Sequence, residues 1–87
     1  MTFGIRWTRT AVKSLTSLDN DVQLRVVKRL DELASIDDPF AQLNRLVGVK
    51  LYSLRIGDYR AILSIERNKM IIFVVEVGHR SKIYKKL

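Results

Sequence analysis

The sequence is 87 residues long, with 47% hydrophobic and 29% charged residues, a net charge of +7 and no cysteine. This length predicts one domain, residues 1–87, with a modest core. The lack of cysteine excludes disulfides, thiolate chemistry and cysteine metal sites, and it suits a reducing cytosol. No segment has the apolar length of a signal peptide or a membrane span, so we expect a cytoplasmic protein without membrane contact.

The positive charge is concentrated in the C-terminal half. Residues 1–48 contain seven basic and six acidic side chains, whereas residues 49–87 contain nine basic and only three acidic ones. A basic half-domain favours a polyanionic partner, either nucleic acid or an acidic protein.

The chain begins with a predicted strand and helix. Residues 3–7 alternate between apolar and polar side chains, which is typical of a short strand. Thr8 then has the character of an N-cap, and the helix that it begins, over residues 9–17, carries Val12 and Leu15 at helical spacing.

A second, amphipathic helix of about four turns follows. Asp19 or Asn20 serves as its N-cap, and Pro39 and the residue before it disfavour any continuation, so the helix ends within residues 36–39. Its apolar positions are Val22, Val26, Leu30 and Leu33. Two antiparallel helices result. Residues 40–48 have no clear period and predict a packed connector with at most one helical turn.

Residues 49–66 predict a β-hairpin. Gly57-Asp58 suits a two-residue type II′ turn, because glycine supplies the positive φ at its first central position. This turn pairs Arg55 with Arg60. One face then carries Tyr52, Leu54, Ile56, Tyr59, Ala61 and Leu63, and the other carries Ser53, Arg55, Arg60 and Ile62. Two arginines directly opposite each other repel, so we expect an anion between them.

The rest of the chain predicts one more strand and a basic tail. Residues 67–69 form a second turn, and the apolar run 70–77 is typical of a central strand covered on both faces. We expect the tail, residues 78–87, to return across the other face of the sheet. The aromatic residues assigned to the core are Trp7, Phe40 and Phe73. The order β-α-α-β-β-β predicts an α+β fold, with two N-terminal antiparallel helices packed on a small, mainly antiparallel sheet.

Three motifs carry a family resemblance. The run LRIGDYR, residues 54–60, is followed by Val77-Gly78-His79-Arg80 and then by Tyr84. At this chain length, these motifs closely resemble the RelE family of toxins, in the RelE/ParE superfamily of type II toxin–antitoxin systems. The resemblance covers nearly the whole chain. It implies a fold similar to microbial ribonucleases, a cognate RelB-like antitoxin in a hetero-oligomeric complex, and ribosome-dependent, metal-free cleavage of messenger RNA in the ribosomal A site.

The resemblance also implies roles for individual residues. The family's catalytic arginines fall on Arg55, Arg60 and Arg80, and its tyrosine falls on Tyr84, a residue whose ring could also stack on a base or pack the tail. Ser53 stands where several relatives have lysine. Because a serine cannot act as a cationic proton relay, His79 and Lys82 are the nearest substitutes for acid or base work. The candidates for RNA binding are Lys50, Ser53, Lys82, Lys85 and Lys86.

The residue types present agree with metal-free chemistry. One histidine and no carboxylate cluster in the basic half leave nothing to hold two metal ions, so we expect neither metal nor cofactor. Cleavage by the neighbouring 2′-hydroxyl needs a base, an acid and cations where charge develops, and the arginine fork matches phosphate oxygens. Two other functions stay open: a ParE-like toxin that inhibits DNA gyrase by binding protein, and an inactive or regulatory member, given Ser53.

Overall fold

Two helices lie against one five-stranded sheet in the computed structural model, which describes residues 2–86, with only the backbone at residue 86. The strands are β1 Gly4–Trp7, β2 Asn44–Arg45, β3 Tyr52–Ile56, β4 Tyr59–Glu66 and β5 Ile71–His79, and the helices are α1 Arg9–Thr16 and α2 Asn20–Ser35. The sheet order is β1-β5-β4-β3-β2, with only β1 and β5 parallel. The predicted α+β fold is confirmed. The two-residue strand β2 was not predicted, because two residues are too few to show alternation.

The helices bury apolar side chains against the face of the sheet that we call the helix face. Thr8 caps α1: its hydroxyl accepts the backbone N–H of Ala11 at 3.1 Å and donates toward the carbonyl of Val74 at 3.0 Å. Ala11 is fully buried and Val12 is 45% exposed. All four predicted apolar positions of α2 are buried. Within the described residues, neither helix is long and apolar enough to cross a membrane.

The hairpin has the predicted turn and register. Gly57 has a φ of +59°, the value that a type II′ turn requires at this position. Arg55 pairs with Arg60, and Ile56 pairs with Tyr59. Leu54 and other members of the predicted apolar face join the core beneath the helices.

A β-bulge interrupts the pairing of β4 with β5. Ile62 pairs with Glu76 but Leu63 pairs with Val74, so Val75 is an extra residue on β5. Strict alternation from the buried Val74 would direct Glu76 toward the helices. The bulge reverses that alternation, and Glu76 shares the face of Ile62, which we call the open face.

Two aromatic assignments are wrong. Trp7 packs against the core, but Phe40 and Phe73 are half-buried and lie outside it. The helices cover only one face of the sheet, so β5 is not enclosed on both faces as its apolar run suggested. Phe73 therefore lies on the less covered side. Phe40 lies in the short 3₁₀ turn Pro39–Gln42, where its ring contacts Tyr52 edge-on.

Candidate functional site

Arg55 and Arg60 face each other across the hairpin, next to its turn. Arg55 is exposed and Arg60 is half-buried. One guanidinium nitrogen of Arg60, Nη1, donates to the carbonyls of Tyr59 at 3.0 Å and Gly57 at 3.2 Å, which holds this side chain over the turn. Within residues 2–86, no carboxylate lies within 4.0 Å of either guanidinium. The pair therefore offers its charge to an external anion such as a phosphate.

Arg80 is attached to the same turn. Its backbone N–H donates to the carbonyl of Asp58 at 2.8 Å, and its Nε lies 3.9 Å from Asp58 Oδ1. Both side chains are more than half exposed, so this ion pair is weak and exchanges readily for another anion. Arg55 and Arg60 from the hairpin and the distant Arg80 thus surround the two-residue turn Gly57-Asp58, which we call the arginine turn.

Tyr84 is joined to β3 on the open face. Its hydroxyl oxygen lies 3.1 Å from Ser53 Oγ, and Ser53 is 2% exposed while Tyr84 is 47% exposed. The preceding residue, Ile83, is fully buried. Ile83 lies over Gly78, where an added Cβ would meet Ile83 Cδ1 at 3.2 Å. Glycine at this position allows the tail to approach the sheet and so positions Tyr84.

Glu76 is a buried acidic residue of the open face that sequence analysis did not single out. It is 6% exposed, and its Oε1 accepts the backbone N–H of Val77 at 3.0 Å. It lies in one cross-strand row with Ile62 and Ser53. The sequence feature that could have identified Glu76 is its single carboxylate within an otherwise apolar run. No three His, Cys, Asp or Glu side chains converge as metal ligands would within the described part of the chain.

His79 lies on the opposite side of the sheet from Tyr84. Beyond the bulge, Val77 and His79 share the helix face, and the His79 ring packs edge-on against Tyr59 at 5.4 Å between centroids. Nδ1 of His79 accepts the backbone N–H of Ser81 at 3.1 Å. The structure therefore does not bring His79 together with Tyr84 and Ser53.

The predicted RNA-binding lysines are spread over the surface. Lys50 precedes β3 at the end of the hairpin away from the arginines, while Lys82 and Lys85 are exposed in the tail. The side chain of Lys86 lies outside the described residues. No side chain of the lysines described forms a hydrogen bond with Arg60 or Tyr84.

Helix α2 adds basic side chains near the arginine turn. A cavity of about 350 Å³ is lined by Arg25, Lys28, Arg29, Glu32, Arg55, Ile56 and Gly57. From the sequence, the positive field was expected in the C-terminal half, because acidic residues balance the bases of α2 in number. The fold places those bases beside the hairpin, so the positive surface extends from the arginine turn onto α2.

The family of the chain follows from a match to a family model. Residues 5–84 match the ParE toxin of type II toxin–antitoxin systems, parDE. The match spans nearly the whole sheet and both helices, so the chain belongs to this toxin family, within the RelE/ParE superfamily that the motifs indicated. No match was found among curated proteins.

Solved structures of RelE toxins have the same fold. The Mycobacterium tuberculosis toxin–antitoxin complex RelBE2 matches with a TM-score of 0.84 and 24% identity, over 93% of this chain and 94% of that one. The archaeal RelE–RelB complex from Pyrococcus horikoshii matches with a TM-score of 0.77 and 27% identity, over 94% and 99%. The intact Escherichia coli RelBE complex matches with a TM-score of 0.72 and 25% identity, over 88% and 95%.

Proposed function

We propose that this toxin is a ribosome-dependent endoribonuclease that cuts messenger RNA in the ribosomal A site and so stops translation. The observation that carries the proposal is the arrangement of Arg55, Arg60 and Arg80 around one turn, with no acidic partner for the first two among the residues that the structure describes. Such a cluster suits a phosphate that gains negative charge in the transition state. The likeness to RelE structures supports the same reading.

The chemistry needs no group from outside the chain and the RNA. The 2′-oxygen of the nucleotide before the cut attacks phosphorus as its proton passes to a base, and the bond from phosphorus to the 5′-oxygen breaks. The leaving oxygen takes a proton from an acid, which gives a 2′,3′-cyclic phosphate and a 5′-hydroxyl. Arg55, Arg60 and Arg80 would stabilise the charge on the phosphorane oxygens.

Tyr84 is the acid or base in this proposal. Its hydroxyl is held by Ser53 on the open face, and nearly half of its surface stays in solvent, where substrate can reach it. Ser53 is only 2% exposed, so in this proposal it positions Tyr84 and, contrary to the expectation from the sequence, does not itself contact the substrate phosphate. His79 is the alternative for proton transfer, although its position on the helix face requires the tail to rearrange. The tail lysines Lys82, Lys85 and Lys86, with Lys50, steer the toxin toward RNA.

The toxin's partner in the cell is a cognate RelB-like antitoxin. The relatives above were solved as RelE–RelB complexes. We expect an acidic, amphipathic antitoxin segment to cover the arginine turn, because opposite charges across an interface guide association. The complex would be a toxin–antitoxin hetero-oligomer.

A second function is favoured by the family model, which describes ParE toxins. A toxin of that kind would inhibit DNA gyrase by binding the enzyme, without cutting RNA. The arginine turn together with Tyr84 favours RNA cleavage, because a protein-binding inhibitor does not need a group for proton transfer.

One comparison separates the two functions. Purified toxin is added to cell-free translation, and messenger RNA length is followed with and without ribosomes; in parallel, DNA supercoiling by gyrase is measured. We expect cleavage only with ribosomes and unchanged supercoiling. Inhibition of gyrase with intact messenger RNA would overturn the proposal.

A further inference from the structure

A second basic surface lies at the end of the hairpin away from the arginine turn. We call it the aromatic groove. It has a volume of about 440 Å³ and is lined by Phe40, Arg45, Lys50, Tyr52, Ile65 and Arg67. This volume is within the range of about 300–1,000 Å³ found for ligand sites. Tyr52 and Ser53 point to opposite faces of β3, so the sheet separates the groove from Tyr84.

Two aromatic rings form part of the groove, and each has an arginine beside it. The centroids of Phe40 and Tyr52 are 5.2 Å apart with an interplanar angle of 70°. Arg67 Cζ lies 4.5 Å from the Phe40 centroid, and Arg45 Cζ lies 5.9 Å from the Tyr52 centroid. Both rings are half-buried, so part of each ring surface faces solvent.

The groove is positively charged. Its lining contains the cations Arg45, Lys50 and Arg67 and no acidic residue among those described. Glu66, the residue before Arg67, forms its ion pair with Lys69 at 3.8 Å instead. Arg67 also borders a neighbouring cavity, which Asp37 and Asp38 line. The positive charges of Arg45 and Lys50 are therefore more accessible to a bound anion than that of Arg67.

We propose that the aromatic groove binds an unpaired stretch of single-stranded RNA, with a base against Phe40 or Tyr52 and phosphates at the cations. Aromatic faces stack on any base, and cations follow the phosphate backbone, which is the usual combination in single-strand binding. An acidic peptide would satisfy the cations but would make no use of the part of each ring that faces solvent. The choice of RNA over DNA rests on the proposed function.

The test measures binding and does not depend on cleavage. A short fluorescent single-stranded RNA with 2′-O-methyl sugars, which cannot be cut by 2′-oxygen attack, is titrated with full-length toxin at several salt concentrations. Phe40→Leu keeps an apolar side chain but removes the ring; we expect about tenfold weaker binding with the same salt dependence. Phe40→Trp keeps a ring and should bind at least as tightly as the natural protein.

Changes of charge give a second, independent readout. Lys50→Gln should weaken binding and lower the slope of log affinity against log salt by about 0.7, the value for one phosphate contact on a single strand. The matched control is Lys13→Gln, which makes the same substitution at an exposed lysine of α1, outside the groove. It should leave both the affinity and the slope unchanged.

Three results would overturn the inference. Equal losses in Lys50→Gln and Lys13→Gln would mean that only net charge matters. Unchanged binding by Phe40→Leu would remove the rings from the site. Weaker antitoxin binding with unchanged RNA binding in Phe40→Leu would make the groove a protein interface. A toxin that binds RNA here but cuts none on ribosomes would contradict the proposed function and leave this inference standing.

Discussion

The hydroxyl groups of Tyr84 and Ser53 lie 3.1 Å apart and join the C-terminal tail to the second residue of β3. Ser53 is 2% exposed, so it is a fixed partner that holds the exposed Tyr84 ring in one place. Arg55 is two residues further along β3 and faces the same side of the sheet. A hydroxyl held on the same face as a cation is suited to proton transfer at a phosphate.

Tyr84→Phe keeps the ring but removes the hydroxyl. We expect ribosome binding to be unchanged and cleavage to fall by roughly 10²–10⁴-fold, the usual contribution of a general acid or base. Single-turnover cleavage on programmed ribosomes and co-sedimentation with ribosomes measure the two effects. Tyr59→Phe makes the same chemical change on the helix face and serves as control. Normal cleavage by Tyr84→Phe would remove its hydroxyl from the chemistry.

Ser53→Lys tests the pair of Ser53 and Tyr84 by changing the serine. A lysine introduces the cationic relay that the family resemblance implies for this position, so we expect cleavage equal to or above that of the natural toxin. Ser53→Ala, which removes only the hydroxyl, is the reference for loss of the contact with Tyr84. If Ser53→Lys folds but cuts less than Ser53→Ala, a lysine is of no use at this position.

Arg60→Ala and Arg80→Ala should each lower cleavage by about 10²-fold or more, because each removes a charge that stabilises the transition state. Neither side chain belongs to the core, so thermal unfolding should be nearly unchanged. Arg9→Ala, an exposed arginine of α1, is the matched control for lost charge. An arginine whose removal leaves growth arrest and cleavage intact does not belong to the site.

His79→Ala separates the two candidates for proton transfer. Because His79 packs on Tyr59 and holds Ser81 rather than approaching Tyr84, we expect cleavage to stay close to the natural rate. The measurement is the single-turnover rate between pH 6 and 8. A loss as large as that of Tyr84→Phe, with the natural toxin's pH dependence abolished, would assign proton transfer to His79.

Gly78→Ala tests whether the tail must lie close to the sheet. The new methyl group would meet Ile83 Cδ1 at 3.2 Å, so Ile83 must give way by a few tenths of an ångström, and we expect this to disturb the position of the adjacent Tyr84. We expect lower cleavage with all three arginines intact. Ile83→Val removes the opposing Cδ1, at a stability cost of about 0.5–1.5 kcal/mol, and should restore cleavage in the double variant. Additive losses in the double variant would contradict this contact.

Binding of the antitoxin should weaken as salt rises, because charges at the rim of an interface are screened.

We expect the complex to protect Arg55, Arg60 and Arg80 from an arginine-specific reagent, whereas Arg9 stays reactive. Mass spectrometry of the labelled complex measures this. If all three arginines stay reactive in the complex, inhibition works by blocking ribosome entry from a distance.

The hairpin could be predicted because its signals are local. Gly57 requires a positive φ, and period-two alternation on both sides of the turn determines the pairing of Arg55 with Arg60. The amphipathic pattern of α2 predicted its buried positions for the same reason. The contact between Tyr84 and Ser53 is different, since it depends on a close approach between the tail and β3 that no local pattern records.

The bulge at Val75 could not be predicted. The run from residue 70 to 77 is apolar on both sides, so it has no alternation from which an extra residue could be detected. That one residue decides which side of the sheet Glu76 and His79 face. The aromatic groove was missed because Phe40 and Tyr52 belong to separate elements, and an aromatic residue in an apolar segment is usually part of the core.

The most direct test of the account is the position of the cut on a stalled ribosome. Ribosomes are stopped with one defined codon in the A site, purified toxin is added, and primer extension maps the new RNA ends. The account predicts ends within the A-site codon for the natural toxin, none for Arg60→Ala, and none on the same RNA without ribosomes. Equal cutting of free RNA, or no cutting while gyrase is inhibited, would contradict it.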